Sequence, residues 1–260
     1  MDFGSTFGSG SVDLQLPNLS FTYWLDFDEV RRNMRSFGLR TPTYRKVEWP
    51  DFPKYEAIGR WESTFFEPQG WRNDYPNPAF VRMSDRDAFW AAKVIMRFTP
   101  EELAAIVEAG QISDPDASRY FLDTLIERQQ KSARHYMDRL NPIDEFEVTS
   151  DTLRFVNLSE KYGFSDPGTT YRFQWSVYDN RDDSTVALSD AQETGGTSLA
   201  IPAVPYATVG GERYLLVEVF AMNDDHPMWN RRVGIYLRPV GRGFELVGVE
   251  RESDPPDNLM

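Results

Sequence analysis

The chain has 260 residues, of which 40% are hydrophobic and 14% aromatic, and it carries a net charge of −13. It is long enough to bury a substantial core in one large or two modest domains, and its negative charge argues against binding to nucleic acid or to an anionic membrane. The lack of cysteine excludes disulfides and thiolate zinc sites, and two histidines are too few for a histidine metal cluster. The sequence has no apolar run of membrane-spanning length and no signal peptide after Met1, so we predict no transmembrane segment in this chain.

The chain begins with a stretch that is rich in glycine, serine and threonine. The composition of residues 1–11 suits a flexible or ligand-cradling loop rather than a strand of a packed core. The first periodic segment follows at residues 28–37, where Val30, Met34 and Phe37 are spaced for a short amphipathic helix.

Residues 39–83 form an irregular segment that contains several prolines and the three tryptophans Trp49, Trp61 and Trp71. It sustains neither the period of a strand nor that of a helix, but a segment so rich in aromatic residues is not typical of disorder. We predict an arm whose aromatic side chains pack on the surface of a helical block. The alternative is a platform on which sugar rings stack.

Three helices with clear start and stop signals follow the arm. Ser84 can cap the first, residues 99–102 (Thr-Pro-Glu-Glu) combine an N-cap, a helix-starting proline and a capping-box glutamate, and the Asn-Pro pair at 141–142 ends the third. The first helix is apolar on nearly all sides, which predicts a central helix with Trp90 in the core. The predicted helices are at about 85–97, 100–109 and 115–140.

After the Asn-Pro pair at 141–142 the period changes to that of a strand. In the clearest strand, Tyr171, Phe173, Trp175 and Val177 point to one face and polar residues to the other, as a half-buried antiparallel strand requires. The Gly-Arg-Gly run at 241–243 predicts a hairpin. The predicted strands are 146–148, 152–156, 171–178, 185–188, 198–201, 213–221, 232–238 and 244–250.

This pattern predicts an α+β protein with an N-terminal helical half-lobe and a C-terminal all-β module. Several short strands in about a hundred residues are typical of an immunoglobulin-like or fibronectin-like sandwich. The predicted domains are a helical domain at 1–145, which includes the arm at 39–83, a β-sandwich module at 146–251, and a disordered tail at 252–260.

Two loops of the β module are acidic, at 179–183 and 223–226. Their oxygen atoms suit calcium, but their spacing matches no calcium loop, and solvated loop tips are the simpler interpretation. His135 and His226 each stand alone on a helix face or in a charged loop, so we predict no serine, histidine and acid constellation.

Three stretches resemble a family of large bacterial proteins, uncharacterised and usually exported, whose central region is similar to a divergent protein or lipid kinase. They are residues 2–9, which begin Asp-Phe-Gly, residues 74–80 together with 87–93, and residues 113–126. The resemblance implies a helical half-lobe like that of a kinase C-lobe, and it matches Asp2 to the aspartate that binds magnesium at the nucleotide phosphates. In the family, the nucleotide-binding lobe and the catalytic loop precede this motif.

The resemblance therefore implies the non-catalytic C-terminal portion of an exported kinase-like protein, with no catalytic residue and no cofactor of its own. Mg-ATP would bind only with the upstream part present, because phosphoryl transfer depends on positioning the nucleotide between two lobes. The alternative is a self-sufficient protein of the cell envelope that binds a glycan or a protein through the sandwich loops or the aromatic arm.

Overall fold

The computed structural model describes residues 16–49, 58 and 61–253. These residues form an α+β protein in which a mainly helical N-terminal region precedes antiparallel sheets, and the prediction is confirmed at that level. Asp2, the glycine-rich start and the end of the predicted tail lie outside the described residues. Within the described part of the chain, no helix combines the length and the apolar character needed to cross a membrane.

The chain folds into two compact units. The first, which we call the cavity unit, contains the described residues up to Met83 together with Trp90–Ala133. The second, which we call the sheet unit, contains Ser84–Phe89 and the described residues from Arg134 onward. The division does not follow the order of the chain, because one short segment before residue 90 belongs with the C-terminal residues.

Capping signals set the helix boundaries. The backbone N–H of Ser84 donates to the Asp87 carboxylate at 2.9 Å, and the N–H of Asp87 donates to the Ser84 hydroxyl at 3.3 Å. Thr99 and Glu102 form the predicted capping box. The three predicted helices and the short helix before the arm are confirmed to within a few residues at their ends. The helices that precede the sheets are α1 (Phe27–Arg35), α2 (Pro78–Val81), α3 (Asp85–Ile95), α4 (Pro100–Ala109) and α5 (Pro115–Asp138).

The sheet unit contains two antiparallel sheets and two one-turn helices. The strands are β1 (Ile143–Val148), β2 (Thr152–Asn157), β3 (Thr170–Asp179), β4 (Ser184–Ala187), β5 (Gln192–Thr194), β6 (Ser198–Ala200), β7 (Arg213–Met222), β8 (Val233–Val240) and β9 (Gly243–Arg251). The smaller sheet has the order β1-β2-β6, and the larger has the order β4-β3-β7-β8-β9, with β5 also paired to β3. The helices are α6 (Leu158–Lys161) and α7 (Tyr206–Val209).

The two sheets contribute to one apolar core. The alternation predicted for β3 is confirmed, because Tyr171, Phe173, Trp175 and Val177 are all buried. β7 lies beside β3 along its whole length, from the Thr170–Met222 pair to the Asp179–Arg213 pair. The smaller sheet adds Ile143, Leu153, Phe155 and Leu199 to the same cluster.

The prediction for Trp90 is wrong, since its side chain is 65% exposed. Helix α3 is amphipathic rather than apolar all round, and its buried positions are Ala88, Phe89 and Ala92. Successive residues of an α-helix are rotated by about 100°. The residue that directly follows Phe89 therefore turns away from the buried face.

The sequence did not predict the short helix α2 at the end of the arm, and in the sheet unit it missed three short elements, namely β5, α6 and α7. The residues of β5 are Gln192, Glu193 and Thr194, so the strand has no apolar alternation to announce it, and it pairs only with residues 171–173 of β3. The other two are single helical turns, which are too short to show a period.

Candidate functional site

A cavity of about 880 Å³ lies within the cavity unit. This volume falls in the range of pockets that bind small molecules. Its described wall comes mainly from the arm and from the segment before α1, with Arg128 contributed by α5. The aromatic residues that line it are Phe21, Tyr44, Trp49, Trp61, Phe65, Phe66, Trp71 and Tyr75.

Side chains on one face of α5 hold the irregular backbone at residues 61–64. Tyr120 donates a hydrogen bond to the first carbonyl of this segment, Arg128 to the second, and Lys131 to the third and fourth at 2.6 and 3.2 Å. An irregular segment cannot satisfy these carbonyls by itself when they are removed from water. Helix α5 therefore fixes this part of the cavity wall.

Glu62 is a buried carboxylate in this wall, with only 5% of the residue exposed. Its Oε2 atom accepts a hydrogen bond from the backbone N–H of Phe65 at 2.7 Å. Its Oε1 atom is buried and has no hydrogen-bond partner among the described residues. A buried carboxylate oxygen without a donor is costly. Glu62 Oε1 is therefore a ready acceptor for a donor on a bound molecule.

Arg128 lies beside Glu62, and its guanidinium is stacked between two aromatic rings. The Cζ atom is 3.7 Å from the centroid of the Trp61 ring and 4.4 Å from that of Phe66. Burial lowers the pKa of Arg128 to about 10, although attraction to Glu62 opposes this change, and the side chain remains charged at neutral pH. Only its Nε atom donates to an acceptor within the described residues, so the two Nη groups can donate to a ligand.

A second buried carboxylate of the cavity lining, Glu29 of α1, is fully paired. Its Oε1 atom accepts a hydrogen bond from Arg40 at 2.6 Å, and its Oε2 atom accepts from Arg32 at 3.0 and 3.2 Å. Burial alone would raise the pKa of Glu29, but the hydrogen bonds and charges of the two arginines outweigh burial and lower it. Glu29 therefore has a structural role that Glu62 does not share.

The charged side chains that line the cavity balance each other. The described lining contains four arginines and four carboxylates, which are Arg32, Arg40, Arg72, Arg128, Glu29, Glu62, Glu67 and Asp74. Their formal charge sums to zero, whereas the chain as a whole carries −13. Such a lining favours a neutral polar ligand over a strongly charged one.

Backbone hydrogen bonds join the wall around Trp71 to the segment before α1. The N–H of Arg72 donates to the carbonyl of Ser20 at 3.0 Å. The N–H of Trp24 donates to the carbonyl of Asp74 at 2.7 Å. The Trp71 ring itself packs edge-on against a phenylalanine of α2, with 5.5 Å between centroids. These contacts by themselves hold the Trp71 ring at the cavity wall.

The acidic loop at 179–183 uses its carboxylates internally. Asp179 pairs with Arg181 at 2.5 Å, and hydrogen bonds from this arginine lower the pKa of Asp179 to about 2. Asp183 accepts a hydrogen bond from the Tyr178 hydroxyl at 3.0 Å. Across the described residues, no group of three or more acidic or histidine side chains is arranged to hold a metal ion. The structure thus lends no support to calcium at either acidic loop.

The loop at 223–226 lines a more polar cavity of about 720 Å³ in the sheet unit. Its lining includes four acidic residues but, within the described chain, no arginine or lysine, and its only aromatic rings are those of Phe164 and His226. It therefore lacks the stacking surfaces and paired charges of the cavity between the arm and α5.

The interpretation that His226 stands alone is wrong. Its ring is stacked on Trp229 with 4.0 Å between centroids and 5° between planes. Its Nδ1 atom lies 3.4 Å from Oδ1 of Asp138, which is distant in sequence. Burial raises the pKa of Asp138, although the nearby His226 opposes the change. His226 is therefore a packed residue with an acidic neighbour rather than a free loop residue.

Sequence reasoning did not identify Glu62 and Arg128 as residues of the site. Glu62 has no local signal of burial, although it is surrounded in sequence by Trp61, Phe65 and Phe66. Arg128 looks like one of several basic residues in the second half of α5. The weak signal that could have identified Arg128 is its place near Tyr120 on one side of α5, in a chain that also has an aromatic arm.

No family model, curated protein or solved structure matches the chain, and its relationship to kinase-like proteins remains a prediction.

Proposed function

We propose that the protein binds a neutral carbohydrate in the cavity of the cavity unit. The observation that carries this proposal is the buried Oε1 atom of Glu62, which has no hydrogen-bond partner in the described part of the chain. It lies beside the ring-stacked guanidinium of Arg128, on a wall rich in aromatic side chains. The aromatic arm is then both a packed element and a sugar platform.

The chemistry of a sugar ring fits this wall in two ways. Its C–H faces are apolar and pack on aromatic faces such as those of Trp71 and Tyr75. Its rim of hydroxyls both donates and accepts hydrogen bonds. Glu62 Oε1 accepts from one hydroxyl while the Nη groups of Arg128 donate to a neighbouring one, and hydrogen bonds to charged groups are the stronger kind.

The charge balance of the lining supports a neutral sugar over an anionic or cationic ligand. A phosphate or a polyanion would need an excess of basic groups, but the described lining contains as many carboxylates as arginines. The pairing of Glu29 with Arg32 and Arg40 leaves neither arginine of that cluster free of a carboxylate partner.

The test is titration of the full chain with a panel of neutral oligosaccharides, followed by calorimetry and tryptophan fluorescence. Trp49, Trp61 and Trp71 line the cavity, so occupation of the cavity should change their emission. We expect saturable binding by at least one sugar, and Glu62→Gln should weaken it by about ten- to a hundredfold, since a hydrogen bond to a charged group is lost.

Glu108→Gln is the matched control, because this exposed glutamate of α4 belongs to the same unit but does not line the cavity. It should leave the affinity unchanged. Lack of saturable binding by any neutral sugar, or equal affinities for Glu62→Gln and Glu108→Gln, would contradict the proposal.

We also propose that the sheet unit is an immunoglobulin-like or fibronectin-like sandwich. Its support is that two antiparallel sheets share one apolar core and that β3 and β7 pair over ten residues at its centre. An experimental structure tests this topology, and a sheet that closes into a barrel would contradict it.

A separate proposal concerns ancestry and rests on the three sequence stretches alone. It holds that the chain is the non-catalytic C-terminal portion of an exported kinase-like protein. Carbohydrate binding and this ancestry are compatible, because an exported protein can carry a glycan-binding unit. The ancestry would be supported by an upstream coding sequence that is in frame with this chain and encodes a nucleotide-binding lobe. An unrelated upstream sequence would count against it.

A further inference from the structure

Glu62 and Arg128 lie side by side in the cavity wall, yet no hydrogen bond joins the carboxylate of the first to the guanidinium of the second. The Nε atom of Arg128 donates to the backbone carbonyl of Glu62 at 2.5 Å. Among the described residues, the Glu62 carboxylate accepts only from the N–H of Phe65, and Arg128 donates only through Nε. An acceptor and two donor groups are therefore open at one place in the wall.

These open groups have fixed and opposite hydrogen-bonding polarity. A carboxylate oxygen only accepts hydrogen bonds, and a guanidinium only donates them. Arg128 stays charged at neutral pH, because its pKa is about 10. A ligand group that satisfies both side chains must present a donor towards Glu62 and an acceptor towards Arg128.

A secondary amide has this pattern in its covalent structure. It is planar, and its N–H donor and C=O acceptor point away from each other in the trans form. A sugar hydroxyl can play either role, but it rotates about its C–O bond, and binding must fix that rotation. The amide dipole of about 3.5 D is also well oriented when its N–H end meets a carboxylate and its C=O end meets a guanidinium. An amide therefore loses less freedom at this pair than two hydroxyls do.

The surroundings of the pair suit a methyl group attached to the amide. Trp61, Phe65 and Phe66 belong to the same segment as Glu62 and line the cavity. Burying one methyl group against such a wall strengthens binding by about fourfold. An acetamido group is also neutral, so it preserves the equal numbers of arginines and carboxylates in the described lining.

We infer that the cavity selects a neutral N-acetylated amino sugar, with Glu62 and Arg128 as its specificity-determining residues. The acetamido N–H donates to Glu62 Oε1, the acetamido carbonyl accepts from an Nη group of Arg128, and the methyl group packs against the aromatic wall. The inference rests on the proposed function, because it names the class of neutral sugar that the cavity binds. An amino sugar without the acetyl group fits less well, since it has no carbonyl to accept from Arg128.

The test compares three trisaccharides that differ only in the substituent at C2, namely the β-1,4-linked trimers of N-acetylglucosamine, glucose and glucosamine. Calorimetric titration of the full chain at neutral pH measures each dissociation constant. We expect the N-acetylated trimer to bind at least about tenfold more tightly than the glucose trimer, because its hydrogen-bonding groups are pre-oriented and its methyl group is buried. The glucosamine trimer should also bind more weakly than the N-acetylated one.

Two substitutions test whether this pair of residues causes the preference. Glu62→Gln replaces the fixed acceptor by a group that can also donate, and Arg128→Lys removes the planar guanidinium. Each should bring the ratio of the affinities for the N-acetylated and glucose trimers towards one. A purely structural loss would instead lower both affinities together and keep their ratio. Glu108→Gln is the control that should leave the ratio unchanged, since this exposed residue does not line the cavity.

The possible outcomes distinguish this inference from the proposed function. Equal affinities for the N-acetylated and glucose trimers, or tighter binding of the glucosamine trimer, would overturn the inference and leave a carbohydrate site. A preference for the N-acetylated trimer that both variants retain would overturn the role of Glu62 and Arg128. Absence of binding by every neutral sugar would overturn the proposed function and this inference together.

Discussion

Arg251 of the sheet unit and Glu62 of the cavity unit are charged side chains whose hydrogen bonds are satisfied to different degrees. In the sheet unit, Arg251 at the end of β9 donates to Asp144 at 2.6 Å and to the carbonyls of Ile143 and Asn141 at 2.5 and 3.0 Å. Burial lowers the pKa of Arg251, and the negative charge of its partner opposes this. In the cavity unit, Glu62 keeps one buried oxygen without a donor among the described residues.

The difference separates a structural charge from a candidate ligand-binding one. Arg251 ties the last strand to the beginning of the first, and every contact that it makes serves the sheet unit. Glu62 faces a cavity and makes one hydrogen bond through its side chain, which leaves capacity for a ligand. An unsatisfied buried group beside a cavity needs an explanation that a fully paired one does not.

The largest expected effect on stability comes from removing a large side chain from the apolar core of the sheet unit. Trp229 is fully buried, so Trp229→Ala should cost about 3–5 kcal/mol of unfolding free energy through lost burial and the cavity left behind. Trp90→Ala is the matched control, because that tryptophan is exposed, and it should cost no more than about 0.5 kcal/mol. Urea denaturation of both variants measures the difference, and equal losses would contradict the assignment of the core.

The second prediction tests the comparison of the two buried charges directly. Arg251→Ala should cost about 3 kcal/mol or more, because it leaves the carboxylate of Asp144 buried without this partner. Glu62→Gln should cost less than about 1 kcal/mol, since the amide oxygen can still accept the hydrogen bond from Phe65 and the unpaired charge is removed.

Denaturant unfolding of these two variants provides the measurement. A loss for Glu62→Gln as large as that for Arg251→Ala would mean that Glu62 is structural. The contrast between Arg251 and Glu62 would then fail, together with the case for a ligand at this wall.

The smallest expected effect is an acid sensitivity of the cavity unit. The paired arginines lower the pKa of Glu29 in the folded protein, so its pairing stabilises the fold above the unfolded pKa of about 4.3. This stabilisation is lost as the pH falls from there through the lower pKa of the folded state. Glu29→Gln should therefore flatten the decline in stability below about pH 4. Urea melts across this pH range measure it, and an unchanged pH dependence in the variant would contradict the assignment.

The sequence by itself determined most of the regular elements. The capping residues Ser84 and Thr99 mark helix starts, and the alternation from Tyr171 to Val177 marks the central strand, as the structure has them. These signals are reliable because hydrogen bonds at a helix end and the two faces of a strand involve residues close in sequence. The short strand β5 escaped because it has no apolar alternation.

Only the tertiary structure decided which residues are buried and which meet at a site. Trp90 and Phe89 are neighbours in one helix, yet the first is exposed and the second buried, because burial depends on which side other elements cover. Glu62 and Arg128 come from the arm and from α5, and no local pattern relates them. They come together because side chains on one face of α5 satisfy the carbonyls of an irregular segment, and that requirement exists only once the two segments pack together.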